Sequence, residues 1–455
     1  MDHTTERMEK VVEDLSRNLG EMVRGWMAKI QEAESVTLDE MERGVREGMQ
    51  SLGRDALQQL VDLVGSGKSA EPVGCPECGQ KMAFVRYQPK WVQTLCGAIR
   101  PERAYYHCVK CRRGYVPLDH QLGLGSDSLS GELEQALCLL VARMPLEETA
   151  DTLQRLLRIE VDDNTVQRAA LRVGSELAAR QKRQAEQAWQ ASKRPEMEVE
   201  EAPERLYISV DGTTAHLQEG WKEVKVAAIY ETEELAQADD TVDIKAVRIT
   251  YVVSFEDAQT FARHVYLEAA RRGLEQAQEV VVLGDGAEWI WNRIARFCDR
   301  PVEIVDFYHA SEHVWNAGQA LYGEGTEETE QWVTQRLDEL LRQGPEACIA
   351  SLKLALVGAS ATIKEVLARE TNYLVKHRHR MQYPTLRAAG YHIGSGSVES
   401  ACKRIIGARL KQAGMIWTRE GAEAVAQLRA TILCNRWDAF WTSYDRSTRR
   451  SRLAA

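Results

Sequence analysis

The order of strand and helix patterns after residue 204 constrains the fold of this chain more than any other feature. Three strand-like stretches follow one another, RLYISVDG, EVKVAAIYE and AVRITYVVS. A helical pattern, a buried strand (VVVLGDG), a second helical pattern and a fifth strand (VEIVDF) come next. This βββαβαβ order predicts a three-strand meander extended by parallel strands that are joined through helices.

Two aspartates occupy matching positions in this order. Asp211 follows the first strand and Asp285 follows the fourth, and each precedes a glycine. The order is that of an RNase H-like domain, in which the ends of the first and fourth strands are neighbours. We therefore expect the two carboxylates to lie close together.

A third acidic residue, Glu399, lies in GSGSVES near the start of a predicted helix. Mg²⁺ prefers carboxylate oxygens, and paired Mg²⁺ ions promote phosphodiester chemistry. We predict that Asp211, Asp285 and Glu399 are catalytic residues that bind two Mg²⁺ (or Mn²⁺) ions, with Asp211 shared between the ions. Each residue alone has an ordinary interpretation, since Asp-Gly is a common turn and a helical Glu is usually solvated.

Asp306 and His309 follow the fifth strand. We expect them to face the same site, where His309 would position a phosphate or transfer a proton as a catalytic residue. A polar helix cap with a surface histidine is the alternative interpretation. Residues 310–390 are helical in pattern throughout, which predicts an all-α insertion before the chain returns with Glu399.

Four of the ten cysteines form two CxxC pairs, Cys75–Cys78 and Cys108–Cys111, on either side of a strand-rich stretch. Four thiolates at two tight turns are the ligand set of a structural Zn²⁺. A redox CxxC is the alternative, but the βαβ pattern that surrounds such a motif is missing. The sequence therefore predicts a zinc ribbon.

Helical patterns also precede the core. The first 65 residues contain no proline and repeat apolar side chains at helical spacing. They predict amphipathic helices that either pair with a second copy or pack on the rest of the chain. Residues 128–182 predict three helices with short turns. A helix-turn-helix that presents Arg168 and Arg172 to DNA fits them, and so does three-helix packing without DNA.

The segment after Glu399 is basic, although the net charge of the chain is −10. From residue 400 to the end there are 11 Lys and Arg against 4 Asp and Glu. Positive charge beside an acidic site suits contacts with a phosphate backbone, although a solvated helix face would have the same composition. The predicted DNA contacts are Lys403, Arg404, Arg409 and Lys411.

Four motifs carry a resemblance to a known family: SVDGT at 209–213, LGDGAEWIW at 283–291, DFYHASEH at 306–313 and GSGSVESACKRIIGARLKQAGMIW at 394–417. The chain resembles bacterial insertion-sequence transposases of the DDE class, in particular the ISKra group, which is related to Mutator-like elements. Members similarly carry an Asp-x-x-His motif and a helical insertion before the Glu. The resemblance implies metal-dependent cleavage at transposon ends and strand transfer into target DNA.

The leading hypothesis is thus a DNA transposase. The alternatives are a structure-specific RNase H-like nuclease and a domesticated DNA-binding protein without catalysis. The expected partners are terminal inverted repeats, target DNA and further copies of the chain in a homodimer or higher oligomer. No signal peptide or membrane-length apolar run is evident, so a cytoplasmic, nucleoid-associated protein is expected.

The expected fold is a multidomain α+β chain. Its predicted parts are N-terminal helices (1–65), the zinc ribbon (72–118), helix-turn-helix-like helices (128–182), an acidic linker (183–204), the first part of an RNase H-like core (205–309), the all-α insertion (310–390) and the last part of the core (391–445).

Overall fold

The computed structural model describes residues 3–32, 35–125, 127–191, 199, 201–236 and 242–444. The chain divides into two compact units, one formed by residues 1–169 and 437–455 and the other by residues 170–436. Both contain helices and strands. The prediction of a multidomain α+β protein is therefore confirmed.

The first unit begins with two long helices, α1 (His3–Glu32) and α2 (Leu38–Val64). They run antiparallel, because Trp26 of α1 lies against Gly44 of α2 and Met22 lies against Gly48. A capping box at Thr37 starts α2 and satisfies backbone N–H groups that have no partner within the helix. The predicted amphipathic helices are thus present, and glycines in α2 allow their close approach.

Seven short strands follow in the first unit. They form three small antiparallel sheets, in the orders β1-β2, β3-β6-β7 and β4-β5. The strands are β1 (Val73–Gly74), β2 (Lys81–Met82), β3 (Phe84–Tyr87), β4 (Val92–Thr94), β5 (Gly97–Ile99), β6 (Ala104–Cys108) and β7 (Arg113–Tyr115).

The next helices are α3 (Pro117–Leu122), α4 (Gly131–Val141), α5 (Leu146–Leu157) and α6 (Asp163–Gln190), and the boundary between the units falls within α6. The last three match the three helices predicted between residues 128 and 182. Because α6 continues to Gln190, the predicted linker is helical over residues 183–190. Residues 192–198 and 200 of that linker lie outside the described residues. Residues 437–444 are helical and also belong to the first unit.

A five-stranded mixed sheet forms the centre of the second unit, in the order β10-β9-β8-β11-β12. Strands β8 to β10 are antiparallel, and β11 is parallel to both β8 and β12. The first and fourth strands are therefore neighbours, as the sequence predicts. The strands are β8 (Arg205–Leu217), β9 (Gly220–Ala236), β10 (Val242–Ser254), β11 (Glu279–Gly284) and β12 (Val302–Val305).

Helices surround this sheet and connect its strands. The predicted helix after Asp285 is instead a π-helical turn, Ile290–Ile294, followed by a 3₁₀ turn, Ala295–Phe297. Between β12 and Glu399 the chain is helical, as predicted. The α-helices are α7 (Ala258–Arg271), α8 (Phe307–Tyr322), α9 (Glu327–Arg342), α10 (Pro345–Ala355), α11 (Ala361–His377), α12 (Tyr383–Ala388), α13 (Gly396–Ala401), α14 (Ala408–Leu410) and α15 (Arg419–Leu433). A further 3₁₀ turn, Arg378–Arg380, and a π-helical turn, Cys402–Gly407, complete the unit.

In the part of the chain that the structure describes, no helix combines the length and the apolar character needed to cross a bilayer.

Candidate functional site

The four cysteines of the CxxC pairs converge in the first unit. Cys75 follows β1, and Cys108 ends β6. The chain turns after Cys75 through Gly79, whose φ of 71° is left-handed and whose N–H donates to the Cys75 carbonyl at 2.9 Å. The backbone N–H of Cys111 donates to the Cys108 sulfur at 3.4 Å. Each pair is thus held at a tight turn.

The spacing of the sulfurs suits a tetrahedral metal ion. Cys75 Sγ lies 4.0 Å from Cys111 Sγ, and Cys78 Sγ lies 3.6 Å from Cys108 Sγ. A zinc ion about 2.3 Å from each sulfur sets sulfur–sulfur separations of about 3.8 Å. Backbone N–H groups of the turn lower the pKa of Cys75 to about 7, whereas hydrogen bonding to Cys78 raises the pKa of Cys111, so one thiol of the cluster is poised to ionise first. The cluster fits a structural metal such as zinc.

Asp211 lies in the second unit, where β8 passes the end of β11. The parallel pairing of β8 with β11 stops at Ser209 and Leu283. Beyond it β8 continues to Leu217 in a hairpin with β9, so Asp211 lies within a strand rather than at its end. The prediction of a strand tip is wrong for Asp211, but the carboxylate still lies just past the end of β11.

Burial is the main cause of the raised pKa of Asp211, and the negative charge of Asp285 raises it further. The N–H of Gly212, the Cys402 thiol and His309 act in the opposite direction. Asp211 therefore interacts electrostatically with both Asp285 and His309. Because the charge of Asp285 makes ionisation of Asp211 less favourable, a cation bound beside the two carboxylates would be stabilising.

Asp285 directly follows β11, as predicted, and its loop is closely held. Its carboxylate accepts from the N–H of Ala287 at 2.8 Å, and its carbonyl accepts from the Tyr373 hydroxyl of α11 at 2.7 Å. Gly286 has a φ of 91°, and a Cβ there would lie 2.7 Å from the same hydroxyl oxygen. The helical insertion therefore fixes the backbone beside Asp285.

The segment that leads to Glu399 is anchored on the sheet. The N–H of His392 donates to the Tyr207 hydroxyl at 3.0 Å, and the guanidinium of Arg205 lies 3.9 Å from the centre of the Tyr391 ring. Asp306 accepts from the N–H and the hydroxyl of Ser395, each at 2.8 Å. These contacts hold the segment before α13 against the first residues of β8 and against the residue that follows β12.

Asp306 itself is a structural residue. It is buried, and besides Ser395 it accepts from the N–H groups of Tyr308 and His309, so it caps α8. The expectation that Asp306 faces a metal is therefore replaced by a capping role. Of the two interpretations of this segment, the polar helix cap is the one that the hydrogen bonds of Asp306 support.

Glu399 lies in the first turn of α13 and does not join the two aspartates. Cys402, one helical turn after Glu399, contacts a carboxylate oxygen of Asp211 through its sulfur at 3.7 Å. The Glu399 side chain is half exposed, and its carboxylate pairs with Lys403 at 2.6 Å. Among the described residues, only the four cysteines form a group of His, Cys, Asp or Glu whose ligand atoms all lie within 4.8 Å of one another. Asp211, Asp285 and Glu399 are thus more widely spaced than this.

His309 lies on the first turn of α8 beside a second histidine. Its ring is 5.4 Å from that of His313, and its Nδ1 is 3.5 Å from Glu312. His313 stacks on Tyr373 with ring centres 3.5 Å apart, and its Nδ1 lies 2.5 Å from the buried carboxylate of Glu370. The stack connects α8 to α11.

The predicted DNA contacts differ in accessibility. Lys403, Arg404 and Lys411 are exposed, and Lys411 donates to the hydroxyl of Thr213 at 2.8 Å, two residues after Asp211. Arg409 is completely buried, with its guanidinium 4.9 Å from the centre of the Trp417 ring. The assignment of Arg409 to DNA is corrected, because none of its surface reaches solvent.

On α6, the two predicted arginines also differ. Arg168 is exposed and donates to the carbonyl of Asn164 and to the hydroxyl of Thr165. Arg172, one turn later, is half-buried. Of the two, Arg168 presents more surface to a partner.

Sequence reasoning missed two residues that shape this region. Cys402 was unremarkable in sequence, and only its position one turn after Glu399 pointed to the same helix face. Tyr373 lies 88 residues after Asp285 and carried no motif. Tertiary contacts alone identify both.

The fold and the cysteine cluster define a multidomain α+β protein with a candidate structural metal site. The chain belongs to the uncharacterised protein family UPF0236, whose family model matches residues 31–436. A UPF0236 protein of Caldanaerobacter subterraneus subsp. tengcongensis is 20% identical over 438 residues, which cover 93% of this chain and 80% of the relative. The name of that relative joins eleven gene designations.

Proposed function

We propose that this protein is a DNA transposase of the DDE class, of the ISKra group, which cleaves transposon ends and joins them to target DNA. The observation that carries the proposal is the meeting of Asp211 and Asp285 on neighbouring parallel strands, where burial and mutual repulsion raise the pKa of Asp211. A divalent cation bound beside the two carboxylates would reduce this repulsion. The core is an RNase H-like domain under this proposal, which the strand order β10-β9-β8-β11-β12 supports.

Asp211, Asp285 and Glu399 would hold two Mg²⁺ (or Mn²⁺) ions. When bound, such ions supply an activated oxygen nucleophile and stabilise the leaving oxygen. Glu399 takes part once its exposed side chain rotates away from Lys403, and Lys403 is then free to contact a phosphate. His309 interacts with Asp211 and would orient a phosphate or move a proton at the attacking oxygen.

The exposed cations Lys403, Arg404 and Lys411 support binding of a nucleic acid, since they place positive charge beside the carboxylates. The four cysteines would hold the zinc of a zinc ribbon, and Arg168 would contact terminal-repeat DNA. A protein that binds and joins DNA in this way is expected at the bacterial nucleoid.

The relative with eleven gene designations favours a mobile element over a single-copy nuclease. An element that inserts new copies of itself accumulates its gene at many places in one genome. This argument concerns the relative and reaches the present chain through the shared family.

The test uses labelled DNA that carries the sequences flanking the gene, incubated with the full chain and Mg²⁺. Joined products support transposition. Cleavage without joining identifies an RNase H-like nuclease, and binding without either reaction identifies a domesticated DNA-binding protein.

The site is tested with Asp211→Ala, Asp285→Ala and Glu399→Ala, each of which is expected to abolish cleavage while DNA binding remains. Glu328→Ala is the matched control, because this carboxylate is exposed on α9 and is not part of the proposed site. Cleavage by any of the three variants at the wild-type rate would refute the assignment of that residue.

A further inference from the structure

We infer that the helical pair α1 and α2 is a docking surface for a second copy of this chain, with the two α1 helices antiparallel. The first observation is an uncovered apolar face on α1. Six side chains lie within an arc of about 100° of the helix and are each between 42% and 64% exposed: Met8, Val12, Leu19, Val23, Met27 and Ile30. The helix spans 30 residues, or about 45 Å. An apolar face of this length on a soluble protein marks an interaction surface.

A second apolar stripe lies on α2. Val45, Met49 and Leu60 share one face of that helix and are exposed. On each helix, the same direction of rotation about the helix axis leads from the face that contacts the other helix to the apolar stripe. Since the two helices are antiparallel, this arrangement places both stripes on the same side of the pair. The pair therefore offers a two-helix apolar surface, half of a four-helix bundle.

Charges along α1 favour a second α1 helix as the partner and an antiparallel orientation of the two helices. One edge of the α1 stripe carries Glu6, Glu9 and Glu13 in its first half and Arg17 and Arg24 in its second half, all exposed. In an antiparallel pair of identical helices, equivalent edges meet head to tail. The acidic half of each helix then faces the basic half of the other. A parallel pair would place the two charged edges on opposite sides of the seam, where these charges would not pair. Flanking charges of this kind set helix orientation.

Other occupants fit this surface less well. A DNA backbone does not contact an apolar stripe. Helices that bind anionic lipid carry a Lys- and Arg-rich polar face, whereas α1 has six acidic and five basic residues. A second copy supplies both the apolar stripe and the opposite charges, as two-fold dimers require of a self-complementary surface.

Leu19 lies near the middle of α1 and would meet its own counterpart close to the two-fold axis. Met8 would then lie opposite Ile30 of the partner helix, and Glu13 opposite Arg24. In this register the two α1 helices overlap over almost their full length. It also predicts which pairs of positions come together and which do not.

The first experiment is sedimentation of the full chain, without DNA or added metal, over the micromolar range. We expect a monomer–dimer equilibrium in the wild type and a dissociation constant at least about 100-fold higher for Leu19→Glu, since two like charges would face each other. Ala28→Glu is the matched control. It adds the same charge as Leu19→Glu, but Ala28 is exposed on the opposite face of α1. Circular dichroism checks that both variants remain helical. A monomeric wild type, or a Leu19→Glu variant that pairs as well as Ala28→Glu, overturns the inference.

The second experiment tests direction. Glu13→Arg and Arg24→Glu should each weaken the dimer, and the double exchange should restore it. Under mild oxidation, a mixture of Met8→Cys and Ile30→Cys chains should give a disulfide-linked dimer that neither variant gives alone. Crosslinking of Met8→Cys with itself would indicate parallel helices and overturn the antiparallel arrangement.

A third measurement addresses the lipid alternative. Binding of a monomeric wild type to anionic phospholipid vesicles, lost in Leu19→Glu, would replace the self-docking inference by a membrane one. None of these readouts depends on the proposed chemistry, because oligomeric state is measured without DNA. Failure of the dimer and failure of the transposase proposal are therefore distinguishable.

Discussion

Replacement of Asp306 by Ala tests how the returning segment is held at the candidate site. The carboxylate is buried between β12, α8 and the GSGS segment. It accepts four hydrogen bonds, from the N–H groups of Tyr308 at 3.3 Å and His309 at 3.1 Å and from the N–H and hydroxyl of Ser395 at 2.8 Å each. Alanine removes all four at once.

The magnitude follows from these contacts. Loss of the cap on α8 costs about 1–2 kcal/mol. The two bonds from Ser395 contribute about 2–3 kcal/mol together, since the acceptor is charged but Ser395 is only half-buried and reaches water. Removing a buried carboxylate offsets part of this cost. We expect Asp306→Ala to lower the free energy of unfolding of the second unit by about 3 kcal/mol.

The assay is urea denaturation followed by far-ultraviolet circular dichroism. Ser395→Ala removes only the hydroxyl bond and should cost about 1 kcal/mol. In a double-mutant cycle, Ser395→Ala should cost much less when Asp306 is already Ala, because the bond no longer exists. An Asp306→Ala variant within 1 kcal/mol of the wild type, or full additivity of the two changes, would refute this account. Since Ser395 lies four residues before Glu399, we also expect Asp306→Ala to reduce cleavage under conditions where it remains folded.

Three further predictions concern the metal cluster, the Asp285 loop and the charge of Asp211. Cys108→Ser should abolish zinc binding, measured by mass spectrometry of the metal content, and should lower the melting temperature, whereas Cys96→Ser, at an exposed cysteine outside the cluster, should change neither. Gly286→Ala should destabilise the protein by about 1–3 kcal/mol, because φ is 91° and the new Cβ would lie 2.7 Å from the Tyr373 hydroxyl; a thermal melt unchanged from the wild type would count against the described loop. Asp211→Asn should raise the melting temperature of the metal-free protein at neutral pH. The pKa of Asp211 is raised on folding, so the wild type loses stability as the pH rises through that pKa, and the difference should vanish below the ordinary value of 3.8. A variant less stable than the wild type at neutral pH would contradict this sign.

The sequence predicted the sheet because its local signals agree with its tertiary environment. The runs before Asp211 and Asp285 are almost wholly apolar, and the structure buries them between neighbouring strands. The same local signal misplaced the end of β8. Asp-Gly resembles a turn, but Thr213 and the residues after it continue to pair with β9, and the chain turns only between Leu217 and Gly220.

Arg409 shows why the basic helix was harder to predict. It was assigned to DNA only because it is one of the basic residues that follow Glu399. In the structure Arg409 is fully buried, and its guanidinium lies against the ring of Trp417. Burial of a guanidinium depends on a tertiary contact of this kind, which a count of basic residues does not reveal.

The candidate site itself was only partly predictable. Strand order brings Asp211 and Asp285 together, and the sequence contains that order. The position of Glu399 depends on contacts with residues 89 and 185 positions away, such as the hydrogen bonds of Ser395 to Asp306 and of His392 to Tyr207. Such long-range contacts have no periodic signature, so their effect on the third carboxylate appears only in the folded chain.

The hydrogen bond of Tyr373 to residue 285 reaches the peptide carbonyl rather than the carboxylate. Every amino acid has that carbonyl, so Tyr373 can hold this part of the loop whatever side chain occupies position 285. Substitution of Asp285 therefore leaves this anchor in place, although alanine removes both the charge and the hydrogen bond from the N–H of Ala287. Asp285→Asn keeps an oxygen that can accept from Ala287, so a loss of cleavage in that variant can be attributed to the charge. The same separation lets evolution change the chemistry at residue 285 while the scaffold around it is inherited intact.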